Sequence, residues 1–144
     1  MSHLDKFRVE DLGVAEFSYW LVAIRSKQVT PGALVVLPKE HVVHFNDLST
    51  PAAVELIDVL GQVERIALDV LRADRINVVA AMMKDPFIHF HFFPRYEKTQ
   101  TIFGQEWTDT DWPRAITFRD VETSPQALDL IKTFYDRQFE SSSS

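Results

Sequence analysis

Hydrophobic positions along the chain change their spacing several times, and each change marks an element. Residues 15–24, AEFSYWLVAI, alternate partly and are rich in aromatic and β-branched types, which predicts a strand. SKQVTPG then breaks the pattern, with Pro31-Gly32 punctuating a turn. ALVVLPK (33–39) is a continuous apolar run, read as a buried strand ending at Pro38. In the long segment 49–74, Leu56, Val59, Leu60, Val63, Ile66, Ala67 and Val70 recur at helical spacing. Asp58, Gln62, Arg65 and Asp69 fall on the opposite face. Thr50 is the expected N-cap of this helix, and Pro51 suits its first position.

The spacing shortens again after the helix. INVVAAMM (76–83) and FIHFHFFP (87–94) read as two strands of an antiparallel hairpin turning on KDP, 84–86. Residues 96–113 show no clear period, and AITF (115–118) is a short expected strand. Ser124-Pro125 opens a last amphipathic helix with Leu128, Ile131, Phe134 and Tyr135 on one side. This order predicts an α+β domain: an antiparallel five-stranded sheet, one long helix packed on it, and a C-terminal helix. Residues 1–140 are expected to form one domain and Ser141–Ser144 a frayed tail.

Composition narrows the setting. A chain of 144 residues buries roughly two thirds of its unfolded surface and needs no staples. It has no cysteine, which excludes disulfides and thiolate metal sites. No apolar run reaches the ~20 residues of a membrane span. The segment MSHLDKFRVEDLG lacks the apolar stretch of a signal peptide, so a cytoplasmic location is expected. A net charge of −6 argues against non-specific nucleic-acid binding. An anionic ligand would need a local positive site.

The run MMKDPFIHFHFFPRY spends two of five histidines in an apolar strand. Alternation sends His89 and His91 to one face with Phe87 and Phe93, and Ile88, Phe90 and Phe92 to the other. The second face suits a core under the long helix. On the first, each buried imidazole must find partners. The two rings can be structural. They can chelate zinc or iron if His41, His44 or Asp85 supplies a third ligand. They can also serve nucleophilic or acid–base catalysis near neutral pH.

IHFHFFPRY resembles the signature strand of the histidine triad (HIT) family, His-φ-His-φ-His-φ-φ followed by Pro-Arg. PGALVVLPKEHVVHFNDLS resembles the family's upstream segment, a Pro-Gly turn, an apolar strand, Pro-Lys, a His-Val pair and a turn into a long helix. The two stretches lie in the family's order around one helix, and the resemblance covers residues 15–96. Pro94-Arg95 sets the register: His91 matches the last histidine of the triad, His89 the middle one, and Phe87 replaces the first. A competing register makes His89 the first histidine, His91 the nucleophile and Phe93 the third position.

The resemblance implies a nucleotide-conjugate hydrolase or nucleotidyl transferase acting at an α-phosphate. His89 would carry the nucleotidyl group, and His91 would stabilise the phosphate oxygens or the leaving group. The proton on the other nitrogen of His89 would be held by the backbone carbonyl of Phe87. Asn77, Phe87, Arg25 and Arg95 are the implied substrate-binding positions. No cofactor or metal is required. The implied partner is a nucleotide or nucleotide conjugate, with no membrane and no nucleic acid, and the protein is expected to be a homodimer.

Three departures from the family pattern stand out. Phe87 replaces a histidine, Ala33 stands where a histidine often follows the turn glycine, and Arg25 replaces the acidic or amide residue that meets the ribose. They support an alternative in which the fold binds nucleotides without efficient chemistry. A metal-dependent hydrolase built on His89 and His91 is the other alternative. Trp20, Phe17 and Leu37 are read as core, or as the lining of a purine pocket. Lys39, Lys84, Arg95 and Lys98 are candidates for the local positive field.

Overall fold

The computed structural model describes residues 2–142. Two short helices come first, α1 (His3–Lys6) and α2 (Val9–Leu12). Strands β1 (Gly13–Glu16) and β2 (Trp20–Ile24) form a tight hairpin. The predicted single strand over 15–24 is therefore two. Phe17-Ser18-Tyr19 reads as strand by composition, but Phe17 N–H donates back to the Trp20 carbonyl at 2.8 Å and closes the turn.

β3 (Leu34–Pro38) is buried along its whole length and pairs antiparallel with β2, ending at Pro38 as the sequence predicts. The Pro31-Gly32 turn before it is held from three directions. Tyr96 donates to the Pro31 carbonyl at 2.9 Å, Tyr135 to the Gly32 carbonyl at 2.6 Å, and the Gln28 side-chain oxygen accepts from Gly32 N–H at 2.9 Å. Gly32 has φ of 95°, and a Cβ there would lie 2.8 Å from Leu71 Cδ1, so a side chain would be both strained and crowded.

The long helix α3 spans Thr50–Arg65 and continues as one wide turn, Ile66–Val70. Its cap is Ser49, not Thr50: the Ser49 hydroxyl accepts from Ala52 N–H at 3.2 Å. Pro51 follows in the first turn, where a missing N–H costs nothing. The wide turn, closed by Leu71 N–H to the Ile66 carbonyl, brings Leu71 into the core and leaves Val70 exposed, against the sequence expectation. Val59, Val63, Ile66 and Ala67 are buried as predicted.

β4 (Arg75–Val79) and β5 (Phe90–Arg95) pair antiparallel, completing a five-stranded sheet of order β1-β2-β3-β5-β4. Both strands are shorter than predicted, and their connection is the ten-residue stretch 80–89 rather than a tight KDP turn. A small second hairpin, β6 (Gln100–Ile102) with β7 (Gln105–Trp107), lies where no period is visible in the sequence. Its turn places Phe103 and Gly104 at positive φ. AITF (115–118) forms no strand; it is irregular chain. The C-terminal helix α4 (Pro125–Ser142) buries Ala127, Ile131 and Tyr135. It includes the first two residues of the expected frayed tail, and Ser143 and Ser144 lie outside the described residues. No helix among the described residues is long and apolar enough to cross a membrane.

Candidate functional site

His91 lies on β5 and His89 in the extended residues just before it, and side chains alternate between two sides through both stretches. Ile88 and Phe92 are fully buried in the core, and Phe90 packs on Trp20 with ring centroids 6.0 Å apart. On the other side the rings of Phe87, His89, His91 and Phe93 follow one another, with centroid separations of 5.0, 5.0 and 6.2 Å. His89 and His91 are 3% and 6% exposed. Both nevertheless line a cavity of about 460 Å³.

His89 Nδ1 lies 2.8 Å from the Phe87 carbonyl oxygen. A carbonyl only accepts, so Nδ1 carries the proton. In the neutral ring Nε2 then holds the lone pair. The Phe87 ring itself does not line the cavity. It is 3% exposed and packs on His3, His41, Phe7 and His89. What this position gives the site is its backbone oxygen.

His91 sits deeper. Its Nδ1 is buried with no hydrogen-bond partner. Burial first, then the positive charge of Arg25 and that of His89, pull its pKa down to about 3. At neutral pH His91 is therefore an uncharged ring with one N–H and one lone pair.

The chain covers the two rings from both ends. Phe7, between α1 and α2, packs on His89 at 5.3 Å and on His91 at 5.9 Å. Lys6 pairs with Asp85 of the 80–89 loop at 3.3 Å, tying this cover to the loop. Phe118 meets His91 edge-on at 4.8 Å. These residues are missed by sequence reasoning: Phe7 and Phe118 lie 82 and 29 positions from His89, and neither segment carries a motif.

Positive charge gathers here although the chain is acidic. Lys6, Arg8, Arg25, Lys27 and Lys84 line the cavity against one carboxylate, Asp85. Only Arg25 and Lys84 of these were singled out in the sequence. Lys39 instead pairs with Glu16 at 3.0 Å, and Lys98 is exposed beyond β5. Trp20 and Leu37 are fully buried, Trp20 donating to the Ala52 carbonyl at 2.7 Å, and Phe17 packs on Phe139. None of the three lines the cavity.

Asn77 and Arg95 meet each other rather than the imidazoles. Arg95 donates to Asn77 Oδ1 at 2.6 Å, to Asp109 at 2.5 and 3.1 Å, and to the Arg114 carbonyl at 2.9 Å. Both line a separate groove with Trp112, Pro113 and Arg114. The expected third metal ligands do not converge on the pair either. Among the described residues no three His, Asp or Glu side chains are placed to hold one ion. His41 meets His3 edge-on and packs tilted against Phe87, His44 is exposed ahead of the 3-10 turn Phe45–Asp47, and Asp85 is paired with Lys6.

Comparison with known proteins identifies the family and the fold that carry these residues. The HIT domain family matches residues 7–98. Among solved structures, a histidine triad protein from Marinobacter aquaeolei superposes with a TM-score of 0.77 at 14% identity, over 97% of this chain and 96% of that one. One from Bradyrhizobium japonicum gives 0.72 at 18% identity, covering 96% of each chain. A zinc-bound histidine triad family protein from Mycobacterium smegmatis gives 0.62 at 21% identity, over 90% of this chain and 86% of that one. No curated protein sequence matches the chain.

Proposed function

The chain belongs to the HIT domain family, and on that premise we propose that it cleaves or transfers a nucleotide at the α-phosphate of a nucleotide conjugate, with His89 as the nucleophile. The observation that carries this is the 2.8 Å contact from His89 Nδ1 to the Phe87 carbonyl. It fixes the tautomer, aims the ring, and stabilises the imidazolium that forms when Nε2 bonds to phosphorus. The same carbonyl survives the loss of the first triad imidazole, so Phe87 does not by itself disable the site. It also favours the register with His89 as nucleophile, because the buried Nδ1 of His91 has no such acceptor.

The step balances as follows. The Nε2 lone pair forms the P–N bond while the bond from phosphorus to the leaving oxygen or nitrogen breaks, and a solvent proton completes the leaving group. Water then adds to phosphorus, gives up a proton, and the P–N bond breaks. The products are a nucleoside monophosphate and free His89. His91, neutral at the working pH, donates a hydrogen bond to a phosphate oxygen or the leaving atom. The basic lining offsets the phosphate charge. Arg25 contacts substrate. Asn77 and Arg95 act from their own groove, holding β4, β5 and the 109–114 segment in register. No metal is required in this reading.

Incubation with an α-labelled adenylyl donor tests it. Acid-labile label should appear on the parent protein and be absent from His89→Ala, with turnover falling by more than ~10³-fold. Full activity in His89→Ala would refute the assignment. A second reading, a nucleotide-binding module without turnover, is favoured by Phe7 lying across both imidazoles. Bound but unchanged nucleotide with no label would select it.

We also propose that two copies associate. β4 is an edge strand with Val78 exposed, and the outer side of α3 exposes Val54 at 68%, Ile57 at 70% and Leu68. A second copy of this chain would cover that strand edge and helix stripe. Light scattering should give a mass twice 16.6 kDa. Ile57→Asp should halve it, and a parent mass of one chain would overturn the idea.

A further inference from the structure

Arg25 is a cation arranged for a partner that the protein does not supply. Its guanidinium lies 5.0 Å from the Phe93 ring centroid and 5.2 Å from that of Phe118. Two aromatic faces thus hold it flat and strip its water. Its one hydrogen bond is a long one, 3.3 Å to the Lys27 carbonyl. Three other cations of the cavity have carboxylate partners: Lys6 with Asp85, Arg8 with Asp11, and Lys27 with Asp120. Arg25 has none among the described residues.

The backbone beneath it is rigid. Arg25 N–H donates to the Ala33 carbonyl at 3.0 Å, and Gln28 Nε2 donates to the Arg25 carbonyl at 2.7 Å. The side chain therefore starts from the clamped β2–β3 turn. Its place relative to the chemistry is also set, because Phe118 contacts both Arg25, at 5.2 Å, and His91, at 4.8 Å. A guanidinium offers five donors and no acceptor. It cannot take the proton of a sugar hydroxyl, but it matches a phosphate with two parallel hydrogen bonds.

We propose that the ligand carries a second phosphate, a monoester on the ribose at its 2′ or 3′ oxygen, which docks on Arg25 while His89 faces the α-phosphorus. This rests on the nucleotide reading above and names its substrate class: a conjugate of a ribose-phosphorylated nucleotide. Such a group supplies the anion that this guanidinium, held by two rings and facing the cavity, lacks among the described residues.

Calorimetric titration separates the outcomes. The probes are AMP, ADP, adenosine 2′,5′-bisphosphate and adenosine 3′,5′-bisphosphate, on the parent, Arg25→Gln and Arg25→Lys proteins. The parent should bind one of the bisphosphates at least about tenfold tighter than AMP, as a charge-assisted bidentate contact gives. The ratio should collapse to near one in Arg25→Gln and be partly kept in Arg25→Lys. Thermal melting confirms that each variant is folded. Equal affinity for AMP and both bisphosphates, an ADP affinity matching the better bisphosphate, or a ratio that survives Arg25→Gln would each overturn the proposal. If no nucleotide binds and His89 takes no label, the nucleotide reading fails and this proposal falls with it; AMP binding with equal ratios removes only this proposal.

Discussion

Arg25 and Arg95 approach the same side of the same sheet, one beside Phe93 and the other two residues beyond it, and they live in opposite chemical states. Arg95 is saturated: its side chain is 3% exposed, a carboxylate of equal burial faces it, and Asn77 and the Arg114 carbonyl take its remaining donors. Arg25 is unsaturated: rings on two sides, no carboxylate, and a cavity in front. A buried charge with every donor used is scaffold. A desolvated charge with donors to spare is a site waiting for an anion. Arg95 is the more deeply buried and Arg25 only half-buried, but exposure does not say which of them has donors left over. The count of satisfied donors does.

The imidazoles repeat the contrast on a smaller scale. His3 is buried and bonded to the Pro38 carbonyl at 2.7 Å, which pins α1 to the end of β3. His91 is equally buried, but its Nδ1 has nothing to bond. An unmet buried polar atom costs about 1–3 kcal/mol, a cost that His91 carries and His3 does not.

The largest effect that sharpens the comparison is on stability. Asp109→Ala leaves Arg95 as an uncompensated buried charge and should cost about 3–5 kcal/mol in urea unfolding. Arg25→Gln removes a cation without a carboxylate partner, its two cation–π contacts and one long hydrogen bond, and should stay within about 2 kcal/mol of the parent. If the two variants lose stability equally, the division into scaffold and site is wrong.

A smaller effect is on acid stability. His91 titrates at about 3 in the folded protein against an ordinary value of 6.5, so it is neutral in both states above that value and costs nothing there. As the pH falls below about 6.5 the unfolded chain takes up a proton that the folded chain refuses. Stability is lost at up to ~1.4 kcal/mol per pH unit until the folded ring itself protonates near 3. Unfolding curves from pH 7 to 4 should fall more steeply for the parent than for His91→Gln. Arg25→Gln should flatten the slope only slightly, since burial outweighs the Arg25 charge as the cause. A slope unchanged by His91→Gln would show that the ring is hydrated.

Where local pattern and tertiary demand agree, the elements were readable: β3 as an apolar run ending at Pro38, the α3 stripe, and the β4–β5 pair. The misses share a cause. Phe17-Ser18-Tyr19 looks like strand because aromatic composition does not reveal a chain reversal made by one long-range-independent backbone bond. The β6–β7 hairpin turns on Phe103, a residue type with no preference for positive φ. The pairing of α3 with Leu71 rather than Val70 depends on one wide turn that no propensity signals.

Of the site, the sequence by itself determined the two imidazoles and their shared face, because a two-residue period needs nothing from afar; the carbonyl behind His89 was implied by the family resemblance. Only the tertiary structure decided which charges stand beside them. It delivered Phe7 from the first turn of the chain and Phe118 from its last third, turned Arg95 away to Asp109, and left Arg25 facing the cavity. Charge pairing is a matter of distance in space, and distance in space between residues tens of positions apart is what packing sets.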